Sequence, residues 1–231
     1  MEIKVTTDWI GSNPVFYNTQ TRAYSSKIND VIDYANVELD GDGLHDYFDF
    51  GYSVFGNTLI KDVKYLQPNS TLTISEIGFS VKENEDPVLS YLDKTSTPDE
   101  VLDKIKSLVL AWQRSDDKQV VIPTSSGYDS RLLNYMVENK KNIHCFGYGV
   151  AAAQEQCVEV VRAQELCKIL GTKYEHIPLG NFHKDCDHWY DMYGPSLHLH
   201  GMYHIEFYKI IKEKLGANSK LLSGIIGDLW A

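Results

Sequence analysis

From residue 97 onward, short apolar runs alternate with stretches of helical spacing. Val120, Val121 and Ile122 form an unbroken apolar run of the kind buried on both faces of a sheet, and Leu132, Leu133, Met136 and Val137 then recur along one helix face. The pattern predicts strands at Val120–Thr124, Ile143–Gly147, Tyr174–Pro178 and Lys220–Ser223, with helices at Ser130–Asn139, Glu155–Leu170 and Met202–Leu215. An earlier helix is announced by Thr97-Pro98-Asp99-Glu100, with Thr as N-cap, Pro at the first helical position and Glu closing a capping box. Val101, Ile105, Leu108 and Trp112 are its predicted buried stripe. Such alternation implies an α/β fold with a parallel sheet, helices on both faces and ligands at the carboxyl ends of the strands.

The first 80 residues follow another grammar. Turns at Gly11-Ser12-Asn13-Pro14, Gly41-Asp42-Gly43 and Gly56-Asn57 separate short strand-like segments such as Val15–Tyr17 and Thr71–Ser75. Brief helices are predicted near Lys27–Tyr34 and Leu44–Phe50, with Asp42 capping the second. Lys82–Ser96 is polar and aperiodic, which predicts a linker between a domain at 1–81 and another at 97–231.

The junction from Val120 to Leu133 carries the clearest chemistry. Thr124 to Ser130 place hydroxyls, a Gly and a row of backbone N–H groups where a strand turns into a helix, and N–H groups at a helix start have no internal partners. The helix dipole adds partial positive charge, so the turn reads as a pyrophosphate cradle. No Gly-Lys-Ser/Thr follows at Walker spacing, and Arg131 is the nearby cation. Ser223-Gly224-Ile225-Ile226-Gly227-Asp228 supplies a second Gly-rich turn after the last predicted strand. The chain has 231 residues and a net charge of -10, which argues against binding nucleic acid or an anionic membrane. It has neither an apolar signal core nor an apolar run of membrane-spanning length. Four cysteines without a CxxC pair read as reduced, mostly structural thiols of a cytoplasmic protein.

Four motifs in order resemble those of the asparagine synthetase family, whose synthetase domain is a PP-loop ATP pyrophosphatase. Thr124-Ser125-Ser126-Gly127-Tyr128-Asp129-Ser130 is similar to the family's Leu-Ser-Gly-Gly-x-Asp-Ser pyrophosphate loop. Ile143 to Gly149 resembles the next strand, whose end contacts adenine, and Glu155 to Gly171 the helix that follows. Leu222-Ser223-Gly224-Ile225-Ile226-Gly227-Asp228 is similar to its second loop, Leu-Ser-Gly-x-Gly-Gly-Asp. In the first half, Asp8 to Tyr17, Tyr24 to Ile28 and Leu39 to Leu66 resemble the later part of the family's glutaminase domain. The resemblance implies a parallel-sheet PP-loop (adenine nucleotide α hydrolase-like) domain at 97–231, preceded by a partial, strand-rich, N-terminal-nucleophile-like domain. There are three departures. Glu2 stands where the family has its nucleophilic Cys, so glutamine hydrolysis is expected to be absent. The sequence stops at Ala231, ahead of a helical region that in the family supplies a Lys near the phosphates, and a second copy or another partner would have to supply that region. Ser126 replaces the first Gly of the loop's pair, which implies a side chain where positive φ is favoured and a lower affinity for ATP.

On this resemblance the cofactors are ATP and Mg²⁺. Asp129 and Asp228 would hold or orient the metal and act in catalysis, Thr124, Ser125, Ser126, Gly127, Tyr128, Asp129 and Ser130 would cradle the phosphates, and Ser223, Gly224 and the Tyr148 backbone would line the nucleoside. The reaction implied is adenylation of a carboxylate on an amino acid or sugar, followed by displacement of AMP by ammonia or another amine. Two alternatives stay open. One is a degenerate nucleotide-binding or scaffolding module without turnover; the other, a tRNA-thiolating PP-loop enzyme, is disfavoured by the acidic balance and the missing CxxC pair. His183, Cys186, Asp187, His188, His198, His200 and His204 match no defined zinc spacing and, with Trp189, Tyr190 and Tyr193, suggest a pocket wall resembling the family's acceptor site. Asp40-Gly41-Asp42-Gly43 lacks the Glu a calcium loop needs at its twelfth position and reads as a tight turn. Glu159 and Arg162 are assigned no role.

Overall fold

A computed structural model describes residues 2–76, 78–216 and 218–225, apart from the side chain of His200. In chain order the elements are β1 (Ile3–Thr6), β2 (Phe16–Asn18), β3 (Tyr24–Ser25), α1 (Gly41–Phe50), β4 (Val63–Tyr65), β5 (Ser70–Ser75), β6 (Gly78–Glu83), α2 (Pro98–Gln113), β7 (Gln119–Pro123), α3 (Tyr128–Met136), β8 (Ile143–Gly147), α4 (Val158–Leu170), β9 (Lys173–His176), α5 (Cys186–Tyr193), α6 (Tyr203–Leu215) and β10 (Ser219–Leu221). They form two compact units. One comprises Met1–Lys94 with Lys184–Met202, and the other Thr95–His183 with Tyr203–Ala231. No described helix is long and apolar enough to cross a membrane.

The second unit is a mixed α/β body built on a four-stranded parallel sheet in the order β10-β7-β8-β9. Alternate residues of β7 and β8 feed two separate cores. Val120, Ile122, Ile143 and Cys145 face one side, packed against Val109 of α2, Leu133 and Met136 of α3 and Cys167 of α4. Val121 and Phe146 face the other, packed against Ile177 and against Phe207 and Ile211 of α6. Both faces are therefore covered, which is why β7 reads as a continuous apolar run. The chain winds from β7 to β8 to β9 in one direction and then places β10 on the other side of β7. The order thus reverses at the carboxyl end of β7, where open α/β sheets bind ligands.

α2 begins as its sequence predicts, with the Thr97 side chain accepting from Glu100 N, the Glu100 carboxylate accepting from Thr97 N, and Pro98 at the start. Its buried stripe differs from expectation. Ile105, Val109 and Trp112 face the core, while Val101 and Leu108 are exposed, Leu108 by 59%. The helix is apolar around much of its circumference between Leu108 and Trp112, so spacing alone did not fix its rotation. Its carboxyl end is held by Lys220 of β10, whose ammonium donates to Trp112 O (2.8 Å) and Gln113 O (2.9 Å) and lies 2.8 Å from the Asp116 carboxylate. A cation there satisfies open carbonyls and complements the dipole.

The first unit holds two antiparallel three-stranded sheets, β1-β5-β6 and β3-β2-β4. Phe16, Ile28, Val31, Ile32 and Val63 form one of its cores, and Val15, Leu66 and Leu72 another. The helix expected at Lys27–Tyr34 is a short 3-10 turn, Ile28–Asp30. α1 starts earlier than expected, and its cap is Asp40, which accepts from Gly43 N at 2.8 Å, whereas Asp42 lies within the first turn. The polar stretch after β6 contains a 3-10 turn at Pro87–Tyr91, capped by Asp86, whose carboxylate also accepts from Trp9 Nε1.

Candidate nucleotide site

The turn after β7 is stitched together by its own hydroxyls. Thr124 N donates to Phe146 O of the neighbouring strand (2.7 Å), and the Thr124 hydroxyl donates to Ile122 O (2.9 Å). Ser125 N donates to Ser130 Oγ (3.2 Å) and Gly127 N to Ser125 Oγ (3.1 Å). The N-cap of α3 is Gly127, and no side chain caps the helix. The first-turn N–H groups of α3 thus lack both intrahelical and capping partners, the arrangement that favours an anion. Ser126 has no positive φ, so the backbone strain expected from its replacement of a Gly does not arise. Tyr128 is 82% exposed with the Arg131 guanidinium 4.3 Å above its ring, and Arg131 Nε donates to Gly127 O.

The second loop meets this turn. A Cβ placed on Gly224 would stand 3.0 Å from Asp129 Cβ and 3.2 Å from Ser130 N, so a side chain there would require the loop or the first turn of α3 to shift by a few tenths of an ångström. Gly147, at the end of β8, has the same property: a Cβ there would stand 2.8 Å from Thr124 O. These approaches close a cleft of about 330 Å³ at the carboxyl ends of β7, β8 and β10.

Of the residues singled out in the sequence, Thr124, Ser125, Gly127, Asp129, Ser130, Tyr148, Ser223 and Gly224 line this cleft, while Ser126 and Tyr128 do not. Asp228 lies outside the described residues, as do Ile226 and Gly227. Pattern reading missed Glu159, on the first turn of α4, and an aromatic wall of Phe146, Phe207 and Tyr208. Glu159 is assigned no role by its sequence context; its place in the cleft follows from the topology, which brings the start of α4 to the carboxyl edge of the sheet. His204 also lines the cleft and meets the Tyr148 hydroxyl at 3.3 Å, whereas residues 184–202 of the His-rich segment belong to the first unit.

The wall keeps its hydroxyls protonated. Burial raises the Tyr148 pKa above its ordinary value, helped by a hydrogen bond with Tyr203, and burial also raises that of Tyr208, partly offset by Ser223. The charged lining is acidic. Asp129 and Glu159 contribute carboxylates, and no Lys or Arg lines the cleft among the described residues. A polyphosphate entering with its own divalent cation would relieve that repulsion, and a hard cation such as Mg²⁺ suits carboxylate, phosphate and water oxygens. No group of three or more His, Cys, Asp or Glu able to hold a metal is found among the described residues.

No family model matches the chain, and no curated protein matches it. Among solved structures, it is similar to an NH3-dependent NAD synthetase from Campylobacter jejuni subsp. jejuni in complex with the nitrate ion. That similarity is 15% identity over 55% of this chain, with a TM-score of 0.39. The chain spans little more than half, 56%, of that neighbour's length.

Proposed function

We propose that the second unit binds ATP with Mg²⁺ and that the protein is an asparagine-synthetase-like, AMP-forming amide ligase. It would adenylate a carboxylate on an amino acid or sugar and join it to ammonia or another amine. The observation that carries this reading is the seating of Gly224 against Asp129 and Ser130, because it brings two Gly-containing loops, distant in sequence, onto one uncapped helix start. In the proposed reaction the carboxylate oxygen attacks the α-phosphate and pyrophosphate leaves. Negative charge then gathers beside the first-turn amides of α3, and fixed donors aimed at developing charge lower the barrier. The metal would be held by Asp129, with Asp228 as the second carboxylate that the family resemblance implies, and would supply electrostatic stabilisation of the leaving group. Phe146, Tyr148, Phe207 and Tyr208 would hold the base and exclude water.

The first unit, on the same resemblance, corresponds to a degenerate glutaminase-like domain, so the amine comes from elsewhere, and glutamate release from glutamine is expected to stay at background. A second reading has its own support. With no Lys or Arg lining the cleft among the described residues, the leaving pyrophosphate has no side-chain cation there, which suits a module that holds nucleotide without turning it over. Calorimetry with ATP and Mg²⁺ tests the shared part of both readings. Binding is expected, and Gly224→Ala should weaken it about tenfold by forcing the loops apart, a cost of roughly 1.4 kcal/mol. Absence of heat from folded protein at millimolar ATP would overturn both. Pyrophosphate release on adding carboxylate substrates separates the ligase from the module.

A further inference from the structure

The phosphate-binding turn is held from beneath by a side chain that no motif contains. Asn134, one turn into α3 from Ser130, is fully buried, a placement that costs free energy unless the amide is satisfied. Its Nδ2 donates to Thr124 Oγ1 (3.0 Å) and to Ser130 O (2.9 Å), the two ends of the turn, and its Oδ1 accepts from the Cys145 thiol of β8 (3.0 Å). The direction of each bond is forced. The single Thr124 hydroxyl hydrogen goes to Ile122 O, so that oxygen can only accept from Asn134, and Ser130 O is an acceptor by nature. Only a neutral amide, with two hydrogens on one side and an acceptor on the other, fits all three partners.

We infer that Asn134 is the positioning residue of the nucleotide loop, fixing the distance between Thr124 and Ser130 so that the first-turn amides of α3 are aimed into the cleft before ligand arrives. The inference rests on the proposed nucleotide site for its purpose, but its physical content does not need ATP. Preorganised donors outperform mobile ones because they need no reordering when charge arrives. Cys145 acts one step further back by holding the amide oxygen and so the flip state of the Asn134 side chain.

The test compares the full chain with Asn134→Leu, Asn134→Asp, Cys145→Ser, Cys145→Ala and, as a control, Val137→Ala, which trims the same core at the far end of α3. The first readout is amide hydrogen exchange of Ser125 to Ser130 without ligand, and the second is affinity for ATP with Mg²⁺. Asn134→Leu and Asn134→Asp are expected to speed exchange in the turn and to weaken binding by about tenfold or more. Cys145→Ser, which keeps a donor, should leave both near wild type, and Cys145→Ala should show a smaller loss. Val137→Ala should lower the melting temperature while leaving turn exchange and nucleotide affinity unchanged. Unaltered exchange of the turn in Asn134→Leu, or equal loosening in Val137→Ala, would overturn the inference. If the Asn134 variants do not fold, the Cys145 pair decides it, and indistinguishable Ser and Ala variants count against it. If wild type binds no ATP, the proposed function falls and the exchange comparison still decides the role of Asn134.

Discussion

His144 shows how one side chain can set a pH response. It sits on β8 with 1% of its surface exposed, its ring stacked on Phe146 at 4.0 Å and its Nε2 3.4 Å from Glu175 Oε2. Burial holds its pKa below the ordinary 6.5, and Lys173 adds to that against the opposing pull of Glu175. The folded protein thus resists a proton that the unfolded chain accepts freely. Stability is fully present above the unfolded value and is lost as pH falls below about 6.5 toward the folded value. Thermal melts should show a falling midpoint between pH 7 and pH 5.5, and His144→Leu should flatten that dependence; an unchanged slope would remove His144 as its source. A second buried group, Glu206, accepts from the consecutive amides of Gly180 and Asn181 and so braces the loop beyond β9.

Among the elements, α2 shows both the strength and the limit of pattern reading. Its start was legible to the residue, because Thr97, Pro98 and Glu100 act through bonds between near neighbours that the sequence spells out. Thr97→Ala should therefore lower stability by about 1 kcal/mol in denaturant melts, the usual loss for an N-cap hydroxyl. Its buried face was not legible, since Leu108 and Val109 compete for the core and only the packing of α3 and the sheet chooses between them. The strands of the second unit were readable for the opposite reason. Covered on both faces, β7 and β8 carry buried apolar residues that point both ways, Val120 to Ile122 in one and Ile143, Cys145 and Phe146 in the other, and β8 was predicted with its observed ends. In the cleft, the turn after β7 and the Ser223–Gly224 pair announced themselves as motifs. Glu159, Phe207 and Tyr208 did not, because helix residues acquire a role there only once the crossovers bring their elements to one edge of the sheet. Asn134 escaped for a related reason: a polar residue on an apolar helix face signals nothing until its partners on the loop and on β8 are known.

At the scale of the whole molecule, the division into units does not follow a single cut. The chain leaves the first unit after Lys94, returns to it for Lys184–Met202, and goes back to the second at Tyr203. The returning segment is bound within the first unit by Lys27 to Asp191 (2.7 Å), by Asn29 to the Tyr190 carbonyl (2.7 Å), and by a backbone bond from His198 to Gly51. Proteolytic nicking near Lys94 should consequently leave the two fragments co-eluting on size exclusion, because the larger one supplies part of the first unit; separation without denaturant would contradict these contacts. The same threading has a mechanical meaning. Tension applied between the chain's ends cannot draw out either unit as an independent bead, since each is interrupted by the path of the other. Extension under force should therefore appear as one coupled rupture, in which freeing the 184–202 segment slackens both units together.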